Sequence, residues 1–226
     1  MESTTNLDQL ISFFSEFVSE SRLQRFNEVI ANRTRHITVV LEDIYQSHNA
    51  SAVLRSCDCF GIQDVHIIEQ RNKYTINPDV AMGAYKWINM HKYRSPENPT
   101  KECLQHLKSK GYTIVATSPH KSSYKLDTLP IDKKIALVFG TEIDGITSQV
   151  MEEADEFITI PMFGFTESFN ISVSAALIMY ELTKRLHKSE LNWHLSEDEQ
   201  KVIMLEWLKN TVNKPELLEK EFYARK

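Results

Sequence analysis

The stretch ITVVLEDIYQSHNASAVLRSCDCFGIQDVHII, residues 37–68, decides the fold class. Ile37–Leu41 is a continuous β-branched and aliphatic run, the pattern of a strand covered on both faces. The period then changes. Over Asn49–Phe60 the residues Ala50, Val53, Leu54 and Cys57 fall on one side of a helix that ends at Gly61. Asn49 is placed to cap that helix, and Arg55 falls on a different side together with Ser51 and Asp58. Val65–Ile68 returns to a buried strand, so strand, helix and strand follow one another as in a βαβ unit.

Outward from this stretch the alternation continues. Strands are predicted at Trp87–Met90, Tyr112–Thr117, Ile135–Phe139 and Glu156–Ile160, and helices at Thr100–Lys110 and Asn170–His187. The chain therefore reads as an α/β protein with a mostly parallel sheet. Ahead of it, Leu7, Leu10, Ile11, Phe14, Phe17 and Val18 mark an amphipathic helix over residues 6–19. Leu23, Phe26, Val29 and Ile30 mark another over 21–31. Residues 196–224 are helical in pattern and highly charged. Asn72–Asp79 and Ser118–Asp132 are the expected long loops. The resulting division is a helical extension at 1–35, an α/β domain at 36–188 and a second helical extension at 189–226.

Composition removes several function classes. The chain has 226 residues, 42% of them hydrophobic, enough for a substantial core. Its six glycines form no G-x-G-x-x-G, and no G-K-[ST] follows any of them, so the usual dinucleotide and P-loop fingerprints are absent. There is no H-E-x-x-H and no G-x-S-x-G. No apolar run approaches the roughly 18–20 residues that cross a bilayer, and Met1–Asp8 has no secretory pattern. Cys57, Cys59 and Cys103 form no disulfide framework and suit a reducing cytoplasm. Cys57 and Cys59, two apart on a helix, point apart, and no metal is expected. The 26 Lys+Arg against 31 Asp+Glu give a net charge of −5, which argues against a generic nucleic-acid coat. The charge is segregated, however. Met1–Glu20 holds four acids and no Lys or Arg, and Arg22, Arg25, Arg33 and Arg35 follow directly.

Three constellations carry chemistry. The first is His48–Arg55, where Asn49 and Arg55 stand after the first strand and present an amide and a guanidinium at its carboxyl edge, suited to a phosphate or hydroxyl. Alone, they would be a capped helix with a surface Arg55–Asp58 pair, and His48 a solvent-facing or capping histidine. The second is Ala136–Gly145, an apolar strand running into a Gly-flanked acidic turn. Gly140 allows a close approach of backbone or ligand, and Gly145 closes the turn; Glu142 and Asp144 alone would be solvated loop acids. The third is Ile158–Ser172, a strand ending at Pro161, an apolar loop with Met162, Phe163, Phe165 and Phe169, and a helix starting near Asn170. Ser168 and Asn170 could be plain caps. The helix Ile171–Leu182 is apolar nearly all round and is expected to be buried, and the apolar loop calls for a planar ligand, another subunit, or both.

Taken together, these segments resemble the SpoU branch of the SPOUT RNA methyltransferases. That pattern has a first motif N-x-x-x-x-x-R, matched by Asn49 and Arg55. Its second is G-x-E-x-x-G, matched by Gly140, Glu142 and Gly145. Its third is I-P-M-x-G-x-x-x-S-L-N-x-S, matched over Ile160–Ser172 with Phe169 in the usual leucine position. The runs Ile37–Glu42, His48–Arg55 and Val65-His66 are similar to the TrmH group within that branch, and the likeness covers roughly residues 20–190. The resemblance implies a trefoil-knotted α/β domain that works as a homodimer. It also implies S-adenosyl-L-methionine held by backbone groups of three loops around Thr117, Gly140, Ile160 and Phe169, with Met162 nearby. The implied substrate is a tRNA ribose 2′-hydroxyl, that of the D-loop guanosine at tRNA position 18. Arg22, Arg25 and Arg33 stand where that group carries tRNA-binding arginines, and Lys184 and Arg185 are assigned to RNA as well.

Methyl transfer to a ribose oxygen needs that oxygen held in line with the methyl group and relieved of its proton. The resemblance makes Arg55 the catalytic residue. A guanidinium keeps its protons in proteins, so an electrostatic clamp on phosphate and developing alkoxide is the better role, with Asn49, Glu142, Ser168 and Asn170 orienting it and the ribose. Two alternatives stand beside this reading: the same chemistry on ribosomal RNA or another tRNA ribose, and a non-catalytic RNA-binding protein of the same fold.

Overall fold

A computed structural model describes residues 2–118, 121, 123–141 and 145–225, with side chains from residue 6 onward. It falls into two compact units: residues 34–193, and residues 1–33 together with 194–226. The helices among the described residues are α1 (Glu2–Ser15), α2 (Glu20–Ile30), α3 (Ser47–Cys59), α4 (Pro78–Ala81), α5 (Pro99–Ser109), α6 (Ser148–Glu153), α7 (Ile171–His187), α8 (Glu197–Thr211) and α9 (Pro215–Ala224). The strands are β1 (Ile37–Glu42), β2 (Asp64–Ile68), β3 (Asn89–Tyr93), β4 (Tyr112–Thr117), β5 (Tyr124–Lys125), β6 (Lys134–Phe139) and β7 (Glu156–Thr159).

In the larger unit the strands form one sheet in the order β3-β2-β1-β6-β4-β7-β5, and every neighbouring pair is parallel. The expected α/β class with a parallel sheet is borne out. Both β6 and β7 are inserted between strands that precede them in sequence. Because parallel strands are covered on both faces, alternate residues enter two cores. Val39, Leu41, Ile135, Leu137 and Phe139 pack with α3 and α7, while Val40, Ala136, Val138 and Ile114 pack with α5 and the Val150 side of α6. All strands point the same way, so the loops after β1, β4, β6 and β7 leave from one edge of the sheet.

The third strand begins at Asn89 rather than Trp87, because Gly83 (φ +81°) starts a 3₁₀ turn over Ala84–Lys86 that delays it. The expected loop 118–132 contains the two-residue strand β5, paired with β7. Helix α6 is too short to show a period, and its one sequence signal is Thr147, whose Oγ1 accepts from the Val150 N–H. Helix α7 departs from expectation. Ile171, Ala175, Ile178, Met179 and Leu182 are buried, but Val173, Leu177 and Tyr180 are about half exposed, so one apolar stripe of this helix has no cover.

The smaller unit joins the two chain ends. Helix α1 packs on α8 and α9, and α2 on α8. The contacts are aromatic: Phe13 with Phe14 and Phe222, and Phe26 with Trp207. Ser196 and Glu199 form a capping box at the start of α8. Arg33 is 1% exposed, with its guanidinium carbon 5.3 Å from the centre of the Trp207 ring. Expected at the surface as a grip on tRNA, this planar cation is part of the interior.

On the β2–β3 side of the sheet His66 is buried. Its ring stacks on His91 at 4.7 Å, its Nδ1 lies 3.0 Å from the Tyr93 hydroxyl, and His106 is the next ring. Asp64 stands behind His91 and is paired with Arg35. Burial first, and the neighbouring His91 second, push His66 down to about 3 despite the Asp64 charge. The folded state thus holds His66 neutral, whereas an unfolded histidine takes up a proton near 6.5. Stability from this group is complete above that value and is lost as pH falls toward 3. His66→Phe is expected to flatten the loss of urea stability between about pH 6 and about pH 4.5 by close to one proton, about 1.4 kcal/mol per pH unit. Equal slopes for the two proteins would show that His66 does not carry it.

Candidate active site

Helix α3 starts two residues earlier than its sequence suggests, with Gln46 in the N-cap position and no side-chain cap. Asn49 is therefore not the cap; it sits in the first turn, buried. Its Oδ1 accepts a hydrogen bond from Asn170 Nδ2 at 3.1 Å, and its Nδ2 faces Gln46 Oε1 at 3.3 Å. Asn170 does cap its helix. Its Oδ1 accepts from the Ser172 N–H at 2.8 Å and from the Ser172 hydroxyl at 2.6 Å. One asparagine thus starts α7 with its carbonyl and holds the first turn of α3 with its amide nitrogen. The asparagines of the first and third motifs meet.

Ser51, one turn before Arg55 on the same side of α3, is not open as Arg55 is. It is buried, with its Oγ 2.9 Å from the Tyr74 hydroxyl and accepting from the Asn77 N–H at 2.9 Å. Arg55, one turn on, is exposed and forms no hydrogen bond or ion pair with any described residue.

The second motif folds back on itself. The Thr141 N–H donates to the Gly145 carbonyl at 2.8 Å, the Gly145 N–H returns to the Thr141 carbonyl at 3.1 Å, and Gly145 sits at φ +70°. A Cβ on Gly140 would land on the carbonyl of Gly145 and the nitrogen of Ile146, so only glycine fits. Glu142, expected to take part in orienting the ribose, lies outside the described residues, as does Asp144.

A cavity of about 580 Å³ opens between these loops. Thr117, Gly140, Ile160, Met162 and Phe169 all line it, together with Ser168 and Asn170. Its walls are mixed: Ile158, Ile178 and Met151 supply apolar surface, and Ser118 and Thr117 supply hydroxyls. The Thr117 Oγ1 donates to the Val138 carbonyl at 3.1 Å, which joins the ends of β4 and β6. Arg55 is not part of the lining. Among the described residues no group of three or more His, Cys, Asp or Glu is arranged to hold a metal, and no helix is long and apolar enough to cross a membrane.

Residues 36–180 match the model of the SpoU rRNA methylase family. The chain belongs to this family. Among SpoU relatives, it is 43% identical over 209 residues to a protein of Borreliella burgdorferi named tRNA (guanosine(18)-2′-O)-methyltransferase, covering 92% of this chain and 94% of that one. The structure of the Aquifex aeolicus TrmH/SpoU tRNA modifying enzyme superposes with a TM-score of 0.76 at 32% identity, over 86% of this chain and 98% of that one. The SpoU methyltransferase AviRb from Streptomyces viridochromogenes, solved in complex with AdoMet, matches at a TM-score of 0.61 and 18% identity over 72% and 62%, which shows the shared fold.

Two of the RNA residues expected of a SpoU methylase are otherwise engaged. Arg33 is interior, as described above. Arg185 donates to the main-chain carbonyls of Leu126 and Leu129 at 3.1 and 2.6 Å, fixing the segment after β5. Arg22 is exposed, Arg25 is exposed but bonded to Glu28, and Lys184 lies 3.6 Å from Glu181.

Sequence reasoning missed Glu42. It is fully buried at the end of β1 and accepts from the Thr100 hydroxyl at 3.0 Å, the Thr147 hydroxyl at 2.7 Å and the Thr147 N–H at 3.0 Å. It anchors the segment that follows the second motif. An acid ending an otherwise apolar strand was the available signal. Gly140→Ala is expected to cost about 2–4 kcal/mol in urea unfolding, whereas Gly164→Ala, with nothing within 4 Å of its added methyl, is expected to be near neutral. Equal stabilities would mean that the Gly140–Gly145 turn is not closed in solution.

Proposed function

We propose that this chain is a methyltransferase that moves the methyl group of S-adenosyl-L-methionine to a tRNA ribose 2′-hydroxyl, that of the guanosine at position 18. The observation that carries the reading is the meeting of the loop after β4 with the second and third motifs at one cavity, and the bond from Asn170 at its wall to Asn49 of the first motif. The names of the relatives in B. burgdorferi and A. aeolicus support tRNA, and the likeness to AviRb supports the cofactor.

The residues present fit that cofactor. The cavity volume is in the range of small-molecule sites, and the close packing of Gly140 on the backbone of Gly145 and Ile146 fixes one of its walls. Ile160, Met162 and Phe169 offer apolar surface for a purine, and the hydroxyls of Thr117 and Ser118 offer polar groups. Bound there, S-adenosyl-L-methionine supplies an electrophilic methyl on a sulfonium. The chain's residues do the rest. Gly140 and Thr117 hold the two strand ends that shape the pocket. Asn170 and Asn49 fix the first turn of α3, and through that helix the direction of Arg55. The guanidinium of Arg55 clamps the phosphate next to the target ribose and stabilises the oxygen as it loses its proton. Ser168, Asn170 and Glu142 are assigned to orienting the ribose. Arg22 and Lys184 remain candidates for contact with tRNA. The chain path from β6 to α7 is taken to be the knot that the family resemblance implies, since β6 and β7 each enter between earlier strands. The cytoplasm is the proposed location, consistent with three free cysteines.

The protein is further proposed to be a homodimer. Val173, Leu177 and Tyr180 form an i, i+4, i+7 stripe on α7, and Phe163 and Phe165 of the loop before it are fully exposed. Apolar surface of this extent on a soluble chain marks an association site, and a second copy of the same helix is self-complementary to it.

Methyl transfer to unmodified tRNA and to ribosomal RNA, followed by nucleoside mapping, tests the activity. 2′-O-methylguanosine at position 18 is expected, and methylation on a base nitrogen, or on no RNA, would overturn it. Arg55→Ala should lower turnover by about two to three orders of magnitude with cofactor affinity nearly unchanged. Arg55→Lys should be similarly impaired, because it keeps the charge and loses the planar fork; near-normal turnover would replace the clamp with a simple point charge. Leu177→Asp is expected to convert a dimer to a monomer by light scattering, and a wild-type monomer at micromolar concentration that is fully active would rule the dimer out.

A further inference from the structure

The arginines assigned to RNA on the N-terminal helices leave that unit poorly equipped to hold a polyanion. Arg33 is interior and Arg25 is bonded to Glu28. Residues 1–33 and 194–226 together contain twelve Asp/Glu against nine Lys/Arg. The positive charge lies elsewhere. Residues 70–94, in a chain of net charge −5, contain five Lys/Arg (Arg71, Lys73, Lys86, Lys92 and Arg94) and a single acid, Asp79. Lys92 and Arg94 turn to Glu69. Arg71, Lys73 and Lys86 are exposed.

This segment is fixed beside Arg55. Asp43, in the left-handed region at φ +52°, turns its buried carboxylate onto the loop after β2. Its Oδ1 accepts from the N–H groups of Gln70, Arg71 and Asn72 at 3.0, 2.7 and 2.7 Å, and its Oδ2 accepts from Arg71 Nε at 2.9 Å. Burial works to raise the Asp43 carboxyl, but the N–H donors and the guanidinium outweigh it and hold it below the ordinary carboxylate range. Farther on, Tyr74 and Asn77 bond Ser51 at the start of the second turn of α3. The 3₁₀ turn ending at Lys86 packs on α3, and the Trp87 carbonyl accepts from Gln63, beyond the end of that helix. The segment therefore runs the length of α3, and Arg55 lies between its two ends, one turn after Ser51.

We propose that Lys73 and Lys86 form a phosphate-binding ledge that grips the RNA backbone beside Arg55, leaving chemistry to Arg55 and affinity to the ledge. This rests on the reading of the protein as an RNA methyltransferase. Phosphate contacts made by exposed lysines supply salt-dependent affinity and carry no sequence information. The ledge therefore acts on every tRNA alike, with the site itself choosing the ribose.

The test uses the full chain carrying Lys73→Glu and Lys86→Glu together, with Lys110→Glu as control. Lys110 ends α5, which packs on the opposite face of the sheet. Binding of an unmodified tRNA transcript is measured across a salt series, beside steady-state methylation. The double variant should weaken tRNA binding and raise KM at least about ten-fold, and flatten the log–log salt dependence by roughly two ions, with kcat at saturating tRNA within about two-fold. Lys73→Gln with Lys86→Gln, which removes charge without reversing it, should show a smaller change in the same direction. The Lys110 variant should match wild type. Unchanged tRNA affinity and salt slope in the double variant, or a fall in kcat at unchanged KM, would overturn the ledge. The binding measurement stands without catalysis, so a wild-type protein that binds tRNA through these lysines but methylates nothing would overturn the methyltransferase reading instead.

Discussion

The hydrogen bond from Asn170 to Asn49 is the link on which the site's geometry depends. A single amide hydrogen bond contributes only about 1 kcal/mol to stability, so its importance is positional. Asn170 spends its carbonyl on the N-terminus of α7 and its amide nitrogen on α3. The two helices lie on the same sheet face, share one apolar core and touch again where the Cys57 sulfur meets Met179 at 3.7 Å. Packing alone would leave α3 free to turn by a fraction of a residue. A directional bond at its first turn removes that freedom, and Arg55, less than two turns away, inherits the orientation.

Around this link the polar groups that matter are buried carboxylates with full sets of donors. Glu42 holds Thr100 and Thr147, and Asp43 holds three consecutive N–H groups. They are adjacent residues at the end of β1 and reach in different directions, one toward the turn of the second motif and one toward the loop after β2. An apolar residue at either place would leave several N–H and hydroxyl groups without partners, at a cost of about 1–3 kcal/mol each. The strand end that opens the fold thereby ties down two loops that flank the site.

Arginine in this chain divides by surroundings rather than by chemistry. Arg33 lies over Trp207 in the helical unit, Arg185 clamps two carbonyls, and Arg71 shares its guanidinium with Asp43. Arg55, by contrast, faces outward without an acceptor among the described residues. Helix α7 is divided too: its core side packs with α3 and the sheet, and its other side, with Val173, Leu177 and Tyr180, is about half exposed.

The sequence by itself determined the order of the main strands and helices and the α/β class, because runs such as Ile37–Leu41 and Tyr112–Thr117 are buried on both faces and can have no other period. It also determined that Gly140 and Gly145 close a turn, since one needs space and the other a positive φ. It placed Thr117, Gly140, Ile160, Met162 and Phe169 on strand ends and loops of one parallel sheet, and parallelism carries all those ends to one edge. Only the tertiary structure decided which polar groups meet. That Asn49 bonds Asn170, that Ser51 is buried under Tyr74 while Arg55 is open, and that Arg33 and Arg185 are interior all depend on partners tens of residues away. A one-dimensional pattern records the burial of apolar side chains because burial repeats with the helix or strand period. It does not record the pairing of single hydrogen bonds, which happens once and across the fold.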